Sequence, residues 1–290
     1  MKIEVKGVTK KYGDIAALED LSFTLDGPKI YGLLGRNGAG KTTFMEILAG
    51  QNIASSGQIE IDGLNPFDNQ HVTESICLIK ESDNFKRDLK IKNILKIFSF
   101  FYPTWDNELA YSLIKEYNLN PNAKVKELSK GMESALGVTV GLASKAPITV
   151  FDEPYIGLDA AARKKFYGQL VAGYEAEQRT IILSTHLIDE VSLLFEEVLI
   201  LQAGKLILKE ESETLRRQTC AISGTVAQVE AFIADRRVIH KKQLSGMMTA
   251  YTFCSSTEAK DAGLTAEGIP IQELMIYLTE SGEAKIWEGK

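Results

Sequence analysis

Cysteine, proline and histidine are all scarce in this chain, at 3, 7 and 3 of 290 residues. Cys77, Cys220 and Cys254 are odd in number and far apart, and they match no disulfide or zinc spacing. They read as ordinary core residues in a reducing compartment, which excludes a disulfide scaffold or a thiolate metal centre. Long apolar runs are missing too. The stretch Ile94 to Tyr102 is interrupted by Lys96 and Ser99, well short of the roughly 20 apolar residues that cross a bilayer. The opening MKIEVKGVTKKYGD lacks the apolar stretch and small-residue cleavage site of a signal peptide. The expected location is therefore cytoplasmic, with any membrane spanned by another chain. Basic charge is not in excess either: the formal net charge is -6, so no nucleic-acid partner is expected from bulk electrostatics.

What is present is core-forming material, with 44% hydrophobic residues, enough for one large domain and a smaller one. Alternation predicts strands over 2–6 and 21–25, and Lys29 to Leu34 reads as a buried strand entering a glycine-rich loop. A helix is predicted over Thr42 to Ala49, stopped by Gly50. Strands over 58–61 and 75–79 follow, then helix-period segments near 90–101, 105–117 and 132–144. Strand and helix alternate again from Ile148 to Leu208, with a helix predicted over Leu187 to Phe195, implying a mostly parallel sheet covered by helices. From about Ser212 a second pattern begins, with strands near 220–223, 237–243 and 248–254 and helices at 225–234 and 273–280.

The loop is GRNGAGKT, residues 35 to 42. Gly35, Gly38 and Gly40 let the backbone turn its N–H groups inward, Arg36, Asn37 and Ala39 fill the turns, and the next helix adds its positive N-terminus. Lys41 sets a point charge against β and γ phosphates. Thr42 offers its hydroxyl to Mg²⁺, and Thr43 a second one near the α phosphate. The expected ligands are ATP or GTP with magnesium.

ITVFDEP, residues 148 to 154, is a buried-type strand that delivers two carboxylates at its C-terminal edge. Asp152 is placed for the magnesium shell, and Glu153 for orienting and deprotonating an attacking water. His186 follows another apolar strand, Ile181 to Leu183, which carries it to the same sheet edge. Tyr12, from the residues alone, is a turn aromatic.

Taken together, GRNGAGKT, LSKGM at 128, ITVFDEP, GLD at 157 and STH at 184 resemble the ATP-binding cassette ATPases in order and spacing, over about residues 1 to 212. The resemblance implies an α/β fold: a P-loop NTPase cassette with a mixed, mostly parallel sheet and a helical subdomain at about 82–145. A small C-terminal α+β accessory domain at 213–290 completes the expectation. It implies ATP with Mg²⁺, and a head-to-tail dimer in which Ser129 and Gly131 bind the γ phosphate held by the second ATPase subunit, identical or homologous. In the same way Tyr12 would stack on adenine, Asp159 would link the two sites, and His186 would sense the γ phosphate. The chain departs from the family pattern at Lys130, usually glycine, at Met132, usually glutamine, and at Glu81, where a glutamine usually meets magnesium and the membrane partner.

Within that family, the single cassette, the FFYPTWD segment and the small C-terminal domain resemble ATPase subunits of bacterial exporters for peptides, antibiotics or toxins, phenol-soluble modulin exporters among them. Such a subunit sits peripherally on the cytoplasmic side of the membrane, bound to a separate transmembrane permease. The alternative is a soluble cassette ATPase acting on the ribosome or DNA, but these usually carry two cassettes, a long insertion or a basic extension. The aromatics between Phe98 and Trp105 fit equally a docking surface for the membrane partner and a compact core of the helical block.

Overall fold

The computed structural model describes residues 1–280; the last ten positions of the expected accessory domain lie outside the described residues. Two strands, β1 (Ile3–Tyr12) and β2 (Ile15–Leu25), open the chain and pair antiparallel. They are longer than their alternation suggests. The buried strand β3 (Ile30–Leu34) runs into the glycine-rich loop, and helix α1 (Lys41–Leu48) leaves it. Strand β4 (Ser56–Ile61), the short helix α2 (Gln70–Thr73) and strand β5 (Ile76–Ile79) follow. The helical block is α3 (Ile91–Phe101), α4 (Asn107–Glu116) and α5 (Lys130–Ser144). Then come β6 (Ile148–Asp152), α6 (Ala160–Ala176), β7 (Thr180–Ser184), α7 (Ile188–Val191), β8 (Glu197–Gln202) and β9 (Lys205–Glu211). The C-terminal part holds α8 (Ser212–Gln218), β10 (Thr219–Thr225), α9 (Val226–Ile233), β11 (Val238–Leu244), β12 (Met247–Phe253), α10 (Ser256–Asp261), β13 (Thr265–Gly268) and α11 (Ile271–Glu280).

The main sheet has six strands in the order β5-β6-β7-β3-β8-β9, parallel throughout except for the edge hairpin of β8 and β9. Strands β3, β6 and β7 are buried at every position, the signature of a sheet with both faces covered. Strands β1, β2 and β4 stay out of it and form their own antiparallel sheet. Their inward residues Ile3, Val5, Leu21 and Ile59 pack with Phe44 and Leu48 of α1. On the other face α5 comes so close that a Cβ at Gly141 would meet the Phe151 ring at 2.4 Å. Because the central strands run parallel, their C-terminal ends gather on one edge, where Asp152 and Ser184 are neighbours in register.

Two expectations are corrected here. The predicted helix Leu187 to Phe195 is helical only over Ile188–Val191, because Phe195 turns inward beneath Gly32, where a Cβ would lie 2.6 Å from its ring. The cysteines are not all unpaired: Cys220 and Cys254 form a disulfide with Cα atoms 5.9 Å apart, and Cys77 stays free and buried. Strand pairing explains it. Cys220 lies opposite Thr252, and Cys254, two residues further on, faces the same side. Spacing along the chain carries no information about that register.

The four-stranded sheet β11-β12-β10-β13 has its own core around Ile222, Val229 and Ala250. Helix α11 leaves that sheet and returns to the main body, placing Ile271, Leu274 and Tyr277 in the large core that also holds Ile188 and Val191 of α7. Gln202, at the end of β8, donates its side-chain amide to the Thr279 carbonyl at 3.0 Å.

Candidate functional site

Glycine is required at two points of the 35–42 loop. At Gly35 (φ 151°) a Cβ would lie 2.4 Å from the Leu201 carbonyl, and at Gly40 (φ 102°) 2.5 Å from the Ala17 carbonyl. The loop is therefore clamped between β8 and β2 and can only follow this path. Helix α1 begins at Lys41, and its first turn leaves N–H groups with no acceptor inside the helix, a geometry that suits an anion. Lys41 Nζ bridges the loop by donating to the Gly35 and Arg36 carbonyls at 2.7 and 3.3 Å. Burial pulls its pKa down, and the carboxylates of Glu153 and Asp152 oppose that.

The loop forms one wall of a cleft of about 580 Å³, lined by residues 37 to 43, Glu46, the segment Lys80 to Asp83, Asp152 and Glu153. Glu81 thus reaches the same cleft as the loop. At the cleft's base Thr42 donates its hydroxyl to Asp152 Oδ2 at 2.6 Å. Burial pushes the Asp152 carboxyl up, and the Thr42 hydrogen bond opposes it. Among the described residues no three His, Cys, Asp or Glu side chains cluster as a metal site. The donor set fits Mg²⁺, which takes one or two protein oxygens and fills its shell with phosphate and water.

Glu153 follows β6 with φ 50°, a left-handed conformation uncommon for a side-chain-bearing residue and concentrated at functional sites. His186 Nδ1 lies 2.7 Å from Glu153 Oε2, so this bond places the ring proton on Nδ1. The Tyr155 hydroxyl donates to the same oxygen at 2.9 Å and is shared with Thr185 Oγ1, which accepts from the Leu187 N–H at 2.8 Å. Both donors fall on Oε2, leaving Oε1 without a protein partner among the described residues. Tyr155 and Thr185 escape sequence reasoning, because nothing in DEPY or STH marks a tyrosine that folds back onto the carboxylate two residues earlier. Tyr155→Phe is expected to lower ATP turnover roughly tenfold to a hundredfold, the scale of one hydrogen bond to a charged group. The KM for ATP should stay unchanged, and steady-state kinetics on both proteins checks this.

The remaining expected residues are elsewhere. Ser129 is the N-cap of α5, accepting from the Met132 N–H at 3.3 Å, and Asp159 caps α6, accepting from the Ala162 N–H at 2.8 Å. Gly131 is pressed against the backbone, since a Cβ would lie 2.4 Å from the Gly157 carbonyl. None of the three lines the cleft of its own chain. Lys130 Nζ donates to the Glu81 carbonyl at 2.7 Å, so two of the departures from the family pattern touch each other. Tyr12 is 49% exposed and also stands outside the cleft lining, with its hydroxyl accepting from Asn52 at 2.7 Å and Lys10 5.0 Å above its ring.

A phosphate loop and a carboxylate pair at the C-terminal edge of a parallel sheet, with an antiparallel sheet on one flank and a helical block inserted before the carboxylate strand, define a nucleotide-binding cassette. The comparisons agree with that class. The ABC transporter family model matches residues 18–156. An uncharacterized ABC transporter ATP-binding protein of Methanocaldococcus jannaschii is 33% identical over 228 residues, 76% of this chain and 82% of that protein. A Nod factor export ATP-binding protein I of Burkholderia lata is 31% identical over 212 residues, 71% of this chain and 69% of that protein. Among solved structures, the ATP-binding subunit of an ABC transporter has a TM-score of 0.67 at 24% identity, covering 74% of this chain and 92% of that one. The dimeric cassette MJ0796 has a TM-score of 0.64 at 24% identity, covering 72% and 98%. The chain belongs to the ABC transporter ATP-binding protein family and is an ABC-type ATPase subunit.

Proposed function

We propose that this chain is the ATP-hydrolysing subunit of a bacterial exporter, working as a head-to-tail ATPase dimer, of two identical or homologous subunits, on a separate membrane subunit. One observation carries the dimer. Lys41, Thr42, Asp152 and Glu153 converge on one cleft, while Ser129 and Gly131 stand outside it at the start of α5. A site so divided is completed by a second subunit, whose α5 N-terminus would face the phosphates. The Nod factor export relative supports the direction of transport, and the resemblance in the 98–105 region and the C-terminal part supports peptides, antibiotics or toxins as cargo.

Placement in the cleft supports the following roles for the residues that line it. Lys41 and the N–H groups of the loop and of the first turn of α1, apart from that of Ala39, which donates to the Arg36 carbonyl at 3.1 Å, hold the phosphates of ATP, and Thr42 and Asp152 hold Mg²⁺, with Glu81 at the far side of the cleft as a further oxygen donor. Glu153 orients a water through Oε1 and takes its proton, while Tyr155 and His186 fix Oε2. His186, bonded through Nδ1, has Nε2 left to meet the γ phosphate. Asp159 and Tyr12 keep the roles that the resemblance gives them, at the subunit interface and on adenine.

Among the described residues no helix is long and apolar enough to cross a membrane; the proposed subunit is held peripherally at the cytoplasmic face by a permease. The helical block offers the docking surface. Tyr102 belongs to its core, donating its hydroxyl to the Ile76 carbonyl at 3.1 Å, and Phe98 and Trp105 pack beside it. Phe100 is 80% exposed, and Ile97 stands exposed one turn earlier. The double variant Ile97→Asp, Phe100→Asp is expected to reduce co-purification with the membrane subunit at least about tenfold, the scale of losing two apolar anchors. Its basal ATPase activity should stay within about twofold of wild type. Unchanged co-purification would remove this face from the interface. Direct proof of function is ATP-dependent cargo efflux from vesicles holding both subunits, abolished when Glu153 is changed.

A further inference from the structure

Arg179 is the feature the nucleotide site leaves unexplained. It lies just ahead of β7, at the sheet edge opposite the cleft, and is only 6% exposed. Its Nε has no hydrogen-bond partner, and among the described residues no hydrogen bond or ion pair reaches its guanidinium. The charged or titratable neighbours that act on it are Cys77 and Glu177. Burial pushes the Cys77 thiol up, so it is neutral and offers no counter-charge, and Glu177 is solvent-exposed. A buried guanidinium without a partner is costly, and native structures rarely leave one so.

Arg179 lines a groove of about 380 Å³ between the helical block and α6, a volume typical of small-molecule sites. Leu109, Leu142, Ala172 and Ala176 give the groove an apolar wall. Three of the groove's other polar groups are already engaged, and Glu177 is an acid at its exposed rim. Lys145 pairs with Asp106 at 2.8 Å, and Gln169 donates to Glu116 at 3.4 Å. Arg179 is therefore the uncommitted donor in a groove whose remaining charges, Lys145 against Asp106 and Glu177, already lean negative.

We propose that this groove is a second ligand site, binding a small organic monocarboxylate with its carboxylate on Arg179 and its aliphatic tail along Leu109, Leu142, Ala172 and Ala176. The planar guanidinium matches a carboxylate through two parallel hydrogen bonds. A multiply charged phosphate suits the site less, because Asp106 and Glu177 flank it and a single free cation answers it. The groove touches α4, α5 and α6 at once, so the ligand bridges the helical block and the sheet at the end of α5 opposite Ser129.

The test uses the full chain without nucleotide, with sodium hexanoate as probe and inorganic phosphate at matched ionic strength as comparison. Hexanoate is expected to raise the melting temperature saturably and phosphate not. Arg179→Met should melt at or above wild type in anion-free buffer, since it removes an unpaired buried charge, and should lose the hexanoate response. Gly173 lines the groove and a Cβ there has nothing within 4 Å, so Gly173→Leu adds bulk to the groove while keeping Arg179 and should also abolish the response. Glu177→Gln should keep it. The proposal is overturned if hexanoate gives no shift, if phosphate shifts as much, or if either blocking variant still responds. It is equally overturned if Glu177→Gln and Arg179→Met both melt well below wild type, which would make Glu177 the partner of the arginine.

Discussion

Glu153→Gln is expected to reduce ATP turnover at least about a hundredfold, the lower end of what a positioned general base contributes, while ATP affinity stays within about threefold. The amide keeps the shape of the carboxylate and an oxygen for the Tyr155 and His186 bonds, but it cannot take the proton of the attacking water. Binding should survive because the loop and Lys41, the proposed phosphate holders, are left untouched by the substitution. With hydrolysis blocked, the proposed closed dimer would have no route to product, so the variant should accumulate as an ATP-bound dimer. Phosphate release, equilibrium nucleotide binding and size-exclusion chromatography with and without ATP check the three parts. Normal turnover in the variant would place the base elsewhere, and monomers in saturating ATP would count against the shared site.

Asp152→Asn is expected to do two opposite things. Burial raises the Asp152 carboxyl above its ordinary value. For a carboxylate shifted this way, the stabilisation is full below the unfolded value and is lost as pH rises through the folded one. At neutral pH without a cation the ionised group is thus a net cost, and the variant should melt higher than wild type. The two melting curves should converge as the pH approaches the ordinary carboxyl range. With Mg²⁺ and ATP the order reverses. At about a hundred times its dissociation constant a ligand adds about 2.7 kcal/mol, and the variant, lacking an anionic magnesium ligand, should gain less than half of that at the same concentrations. Thermal melts across pH, with and without Mg²⁺-ATP, measure both effects. A variant less stable than wild type without ligand would show that the carboxylate is satisfied by the protein alone.

The parts of the site that are local in the chain are legible in the sequence. A buried strand, a glycine-rich turn and a helix occupy consecutive residues, so 29 to 49 announces itself, and four apolar residues ahead of Asp152 and Glu153 place those acids at a sheet edge. What the sequence hides is whatever depends on which distant segments meet. The loop between β5 and α3 offers no pattern that says Glu81 joins the cleft, and only the family resemblance points to it. Tyr155 reads as one more apolar residue until its hydroxyl is seen on Glu153. Leu187 to Phe195 has helical periodicity, yet the need to cover Gly32 with the Phe195 ring ends the helix early. Arg179 looks like a surface charge before a strand, and only the packing of α4, α5 and α6 around it shows that it is buried.

Helix α11 has a consequence for how the molecule is made. The large core is closed in part by Ile271, Leu274 and Tyr277, residues synthesised long after the 35–42 loop and the Asp152 and Glu153 carboxylates. A ribosome delivering the chain from its N-terminus therefore exposes α7 and the end of β8 for as long as it takes to make the β10–β13 sheet. During that interval the half-built cassette presents an uncovered apolar seam beside its own nucleotide loop, a surface on which a chaperone would act, and α11 is what seals it.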